Sequence, residues 1–218
     1  MTYIVSNILI GFGNFPFFAI LLTLPILVIP VVHYKKLNFV RIVLNYCFLL
    51  YMLCLFALVF FPLPDFAQST GLHTYNMQII PFHFIADIVK ETPFVWNQPE
   101  TYLPALSNRA VLQVIFNIGM TVPFGIFLRY YFGTSTRKIV LLTLGISLFI
   151  EVAQLTGLFF LYQGSYRLCD VDDLMANTLG GLLGAVIIDK ISGILPAIDT
   201  FDRTVILRHG HADSTQTV

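Results

Sequence analysis

The sequence predicts an all-α, polytopic membrane helix bundle of about five transmembrane helices, with the N-terminus outside and the C-terminus inside. Three observations predict it. Of 218 residues, 57% are hydrophobic and only 11% charged, more apolar surface than a soluble core of this length can hide. The mean hydropathy is +0.81. The apolar residues gather in five runs, each near the 20 or so residues that cross a hydrocarbon core of about 30 Å at about 1.5 Å rise per residue. Finally, Lys and Arg are asymmetric. Lys35, Lys36, Arg41, Arg129, Arg137, Lys138, Lys190, Arg203 and Arg208 fall on one side of that path, and only Lys90, Arg109 and Arg167 on the other. Basic residues resist translocation, which makes the first side cytoplasmic.

The first run, Asn7 to Val32, contains Pro16, Pro25 and Pro30, which predicts a kink or a partly unwound stretch covered by neighbouring helices. No Lys or Arg precedes it and no small-residue cleavage pattern follows, so the segment is expected to be retained. The second run, Val40 to Phe61, carries Cys47 and Cys54 seven residues apart on one helix face. With Cys169 they are the only cysteines, which speaks against a disulfide framework. Residues 1–61 are read as two N-terminal transmembrane helices.

Residues 62–109 are read as an extracytoplasmic loop, rich in Pro and aromatics. Phe82, Phe84, Phe94, Trp96 and Tyr102 suit the headgroup zone, where an amphipathic ring finds both environments. His83 to Glu91 fits either a short helix lying on the surface, with Phe84, Ile85 and Ile88 toward lipid or protein, or an irregular packed loop. Residues 110–195 supply a three-helix core with spans Ala110 to Phe132, Ile139 to Leu161 and Asp173 to Ile188. Residues 196–218 form a cytoplasmic tail whose end, from Arg208 onward, reads as disordered. Net charge is zero, so no nucleic-acid partner is expected; that would require a one-sided basic field.

Polar residues inside the runs mark the candidate site. Glu151 lies near the middle of the fourth span, where a charged carboxylate costs several kcal/mol unless protonated, paired or facing water. Gln154 follows three residues later on the same face, and Arg109 and Arg167 are the available cationic partners. In the third span Gln113, Asn117, Thr121 and Gly125 recur every four residues, a face suited to close contact and interhelical hydrogen bonds. Asp173, Asn177, Gly180 and Gly184 share one face of the fifth span, and the two glycines form a small-xxx-small contact strip. Asp170, Asp172 and Asp173 cluster at that span's N-terminus; Asp170 or Asp172 is read as a cap and Asp173 as part of the inward face.

These residues carry a resemblance. The chain resembles the VanZ-like membrane proteins, a family named after a determinant of teicoplanin resistance, over roughly Ile79 to Gly184. The elements are Ile80-Pro81-Phe82, Asn117 with Pro123 and Gly125, Glu151 with Gln154, and above all Arg167, Asp170, Asp173, Asn177, Gly180 and Gly184. The resemblance implies a multi-pass protein of the bacterial cell membrane, in some members linked to reduced glycopeptide susceptibility. It supplies a setting and no reaction.

The leading expectation is a polar pocket near the outer surface, made by Asn117, Glu151, Gln154, Arg167, Asp170, Asp173 and Asn177. Its ligand would be a membrane lipid or a lipid-linked cell-wall precursor, with Arg167 on a phosphate or carboxylate and the acids on an amine, a hydroxyl or a metal ion. The alternative is a membrane-embedded enzyme that hydrolyses or transfers a group on such a substrate, with Glu151 as acid or base. No nucleophile stands out: Ser165 and Cys169 lack an adjacent His, and His73 and His83 lie in the long loop. No cofactor is predicted, and a divalent cation held by Asp170 with Asp173 stays an open alternative.

Overall fold

The computed structural model of the chain describes residues 2–34, 36–61, 75–91, 94–165 and 167–204. Its order is α1 (Thr2–Tyr34), β1 (Lys36–Leu37), α2 (Phe39–Phe60), β2 (Met77–Gln78), α3 (His83–Glu91), a 3-10 turn, α4 (Tyr102–Leu106), α5 (Arg109–Phe132), α6 (Thr136–Leu155), α7 (Gly157–Phe160), β3 (Cys169–Asp170), α8 (Val171–Ile191), a second 3-10 turn (Ile198–Phe201) and β4 (Arg203–Thr204). Five helices, α1, α2, α5, α6 and α8, are long and apolar enough to cross a membrane. The molecule is a polytopic membrane helix bundle. His73, the loop residues 62–74 and the tail residues 205–218 lie outside the described residues.

Helix ends follow from their capping residues. Asn38 in extended conformation accepts the Arg41 N–H at 3.1 Å and starts α2, and Asn108 accepts the Ala110 N–H at 2.7 Å and starts α5. Gly133 stops α5 in the left-handed region (φ 61°), where its N–H reaches the Arg129 carbonyl and the Thr134 N–H reaches that of Leu128. Asp170 caps α8 by accepting the Asp172 N–H at 2.9 Å.

Two spans differ from expectation. The prolines do not interrupt α1, which runs unbroken over 33 residues, about 50 Å. The fourth span stops at Leu155, short of Leu161. Beyond Thr156 the backbone turns left-handed through Gly157, Leu158, Phe159 and Phe160 (φ 56–69°), and a Cβ on Gly157 would overlap the carbonyls of Tyr162 and Gly164. Hydropathy sees these residues as more helix because it is blind to handedness.

Lipid offers no hydrophobic drive between helices, so close packing and hydrogen bonds must hold them. The strongest contact, α5 against α8, is made by glycines. A Cβ on Gly125 would overlap the Gly181 backbone, one on Gly180 the Ile118 carbonyl, and one on Gly184 the Val122 carbonyl. Helix α6 closes on the same α8, with the buried Thr143 against Gly181. Helices α1 and α2 form a hairpin joined by the Thr23–Tyr46 hydroxyl pair at 2.6 Å. It meets the rest through a parallel Phe48–Phe127 stack, the Tyr51 hydroxyl on the Met120 carbonyl (2.6 Å), and a cluster of Leu55, Val59, Phe60 and Ala153.

The two ends of the bundle carry different connections. At one, the α1–α2 link and the chain after α8 pair antiparallel, Lys36 with Thr204. At the other, the chain before α3 and the chain before α8 pair in parallel, Met77 with Cys169. The first is the basic end and the second, which holds Asp170, Asp172 and Asp173, the acidic end.

Candidate functional site

Close approach of α5, α6 and α8 leaves polar side chains facing one another inside the bundle. Asn117 (α5), Ser147 and Glu151 (α6), Asp173 and Asn177 (α8) and Arg167 line the polar side of a cavity of about 90 Å³ toward the acidic end, and α2, through Met52, Leu55 and Val59, closes its apolar side. That is room for several waters or a small polar group. Each position follows from helical spacing: Ser147 and Glu151 are one turn apart on α6, and Asp173 and Asn177 one turn apart on α8.

Asp173 accepts from Gln113 at 3.2 Å and from the Asn117 amide, both on α5. Asn177 donates to the Ser147 hydroxyl at 2.9 Å, while its backbone carbonyl accepts from Thr121 at 2.7 Å. Its own side-chain carbonyl oxygen, Oδ1, is buried and has no partner among the described residues. Glu151 is only 2% exposed, and its Oε2 accepts the Asp170 backbone N–H at 3.0 Å. Of the partners open to Glu151, neither Arg109 nor Arg167 forms a salt bridge with it, and a backbone N–H at the α8 cap binds it instead. Among the described residues none of Glu151, Asp170, Asp172 and Asp173 forms a salt bridge.

The other sequence-selected residues surround this centre. Asp170 caps α8 and does not line the cavity. Gln154 turns away from it and donates to the Val59 carbonyl of α2 at 3.2 Å. Arg167 donates to the Phe61 carbonyl at 3.0 Å, the same oxygen that Asn7 reaches from α1 at 2.9 Å. Gly180 and Gly184 form the α5–α8 contact beneath the cavity.

Sequence reasoning did not find Ser147, a hydroxyl in an apolar run, or the role of Asp172. The buried Asp172 carboxylate accepts the N–H groups of Phe82 (2.6 Å) and Phe84 (2.9 Å), and so fastens the start of α3 to the start of α8. The bond holds Phe82 in a left-handed conformation (φ 64°), which a bulky residue adopts only when its surroundings impose it. Helix α3 then rests on α5 with His83, Phe84, Asp87 and Ile88 half-buried on one face; Ile85 and Val89 are exposed.

Electrostatics at the rim follow from crowding. Burial, then the neighbouring Asp172 charge, pushes the Asp170 carboxyl above the usual range, against the opposing Asp172 N–H. Burial and the adjacent Glu151 push the Cys169 thiol up to about 11, so it is protonated at neutral pH and a poor nucleophile. Among the described residues no three His, Cys, Asp or Glu side chains converge as metal ligands.

A multi-span bundle with a cavity among four of its helices, α2, α5, α6 and α8, part apolar and part polar, defines a class of membrane protein whose candidate site lies below the surface. Within that class, the model of the VanZ/LLP1 family matches residues 48–192, about two thirds of the chain, and the chain belongs to that family. The match contains every residue that lines the cavity. No curated protein and no solved structure matches the chain.

Proposed function

We propose that the protein is an envelope protein of the bacterial cell membrane, oriented with its acidic end outside, and that the cavity receives the polar part of a lipid or lipid-linked cell-wall precursor. The orientation rests on the Lys and Arg asymmetry. The site rests above all on Asn177, which lines the cavity and whose buried Oδ1 has no partner among the described residues, beside Glu151 and Asp173, which form no salt bridge among the described residues. A buried acceptor left unpaired costs about 1–3 kcal/mol, which a donor arriving in the cavity recovers. Glu151 and Asp173 favour an amine or hydroxyl on that ligand. Arg167, with its planar set of donors at the same cavity, favours an adjoining phosphate or carboxylate. Glycopeptide resistance would follow from sequestering such a precursor.

The test is retention of labelled lipid-linked precursor by the purified protein in nanodiscs. Asp173→Asn and Asn177→Leu should each weaken retention by about ten-fold or more, the worth of one good hydrogen bond to a charged group, without loss of the folded protein. Unchanged retention in both variants contradicts the proposal. Chemical change in the retained label would replace it with the enzymatic reading, in which Glu151 transfers the proton.

A further inference from the structure

A second concavity lies at the opposite end, mostly outside the segment that the family shares. It measures about 800 Å³ and lies between the α1–α2 hairpin, the end of α5 and the turn after α8. Its wall is apolar: Leu22, Pro25 and Ile26 of α1 face Phe48, Leu49 and Met52 of α2. From Arg41 at the rim to Met52 is eleven residues of helix, about 16 Å, one leaflet of a hydrocarbon core of about 30 Å. The dimensions suit acyl chain rather than a soluble metabolite.

The rim carries both signs of charge in a fixed pattern. Lys36 reaches Asp202 at 3.2 Å; Arg41 reaches Asp199, and Asp202 at 3.6 Å. The Arg41 guanidinium also sits 5.3 Å from the centre of the Tyr131 ring. Asn38, buried, bonds Asp202 at 2.7 Å and the Ile198 carbonyl at 2.8 Å, which locks the turn after α8 against the start of α2. The Asn38 hydrogen bond, with Lys36 and Arg41, holds Asp202 below the usual carboxylate range. Two cations thus stand beside two carboxylates, and the Asp199 side chain is 77% exposed and open to a further partner.

We infer that this cleft is a binding site for a zwitterionic phospholipid bearing a primary ammonium, its acyl chain along α1 and α2, its phosphate on Arg41 and Lys36 and its ammonium on Asp199. Among the described residues two carboxylates, Asp199 and Asp202, match the two rim cations and repel what those cations attract, so the rim favours a head that carries both charges over an anionic one. A quaternary ammonium has no N–H to donate to Asp199. The site shares only Met52 with the cavity lined by Asn117, Glu151, Asp173 and Asn177, and depends only on the chain spanning a bilayer.

The experiment uses the full chain in nanodiscs of equal parts phosphatidylethanolamine, phosphatidylglycerol and phosphatidylcholine, with retained lipid identified by native mass spectrometry. Phosphatidylethanolamine should exceed each of the other two by about ten-fold, the difference made by one charge-assisted hydrogen bond. Asp199→Asn, at an exposed side chain, should erase that preference over phosphatidylcholine, and Arg41→Gln should lower retention of all three. Preference for phosphatidylglycerol, equal retention, no retained lipid, or an undiminished preference in folded Asp199→Asn protein would each overturn the assignment.

Discussion

The two ends of the bundle handle carboxylates in opposite ways. At the basic end Asp189, Asp199 and Asp202 pair with Arg129, Arg41 and Lys36, largely at the surface. At the acidic end Glu151, Asp170, Asp172 and Asp173 are held by backbone N–H groups and side-chain amides, and no cation is spent on them among the described residues. Fixed ion pairs cancel charge, whereas neutral donors place it without cancelling it. The basic end therefore fastens helices with matched charges, which suits at most a head carrying both signs, whereas the acidic end leaves its carboxylates without a paired cation among the described residues.

The comparison breaks first where backbone approach is at stake. Gly184→Val puts atoms into the Val122 carbonyl and the Gly125 backbone, and should cost about 3 kcal/mol or more, read as loss of folded protein on detergent extraction. Near-normal yield would mean that α5 and α8 are not in this contact. Next is Asp172→Ala, which strips two N–H groups of a buried acceptor and should cost about 2–4 kcal/mol in denaturant titration. It should also release the amides at the start of α3 to hydrogen exchange. Lys36→Ala removes a pair whose lysine is 54% exposed and should change stability by less than about 1 kcal/mol. If the lysine proves as costly as the aspartate, the two ends are not different in kind.

Acid sharpens the contrast further. The Asp202 carboxyl lies below its ordinary value when folded, so its contribution is fully present above the unfolded value of about 4 and is lost as pH falls from there through the lower folded value. Asp170 is shifted upward, so its protonation on acidification relieves the fold instead. Hydrogen exchange between pH 6 and pH 3, after correction for intrinsic rates, should therefore show the β1–β4 end loosening before the start of α8. The reverse order would contradict the assignment of charges to ends.

Much of the bundle was legible because hydropathy and helical period are one-dimensional signals. The five spans announce themselves by apolar length and the inward row Asp173, Asn177, Gly180, Gly184 by helical spacing, whereas His83 to Glu91 fitted a helix and a loop equally until the structure gave α3. What escaped depends on partners far away in the chain. Asp172 looked like a cap, yet its carboxylate serves Phe82 and Phe84, some ninety residues earlier. Gln154 shares the side of α6 that carries Glu151, but three residues leave it about 60° around the helix, enough to face α2. Ser147 gave no signal, since a lone hydroxyl in an apolar run commonly bonds its own helix. The basic-end cleft needs α1, α2 and the turn after α8 together, and no local pattern announces such a meeting.

Asn117, Glu151, Asp173 and Asn177 form the polar side of a cavity inside the bundle, and the Asn177 acceptor there has no partner among the described residues. An experimental structure of the protein in lipid, at a resolution that shows ordered water, tests it most directly. Density should stand inside the cavity within hydrogen-bond distance of Asn177 Oδ1, with Glu151 and Asp173 turned toward it. A closed, dry contact there, or either carboxylate facing lipid, would contradict it.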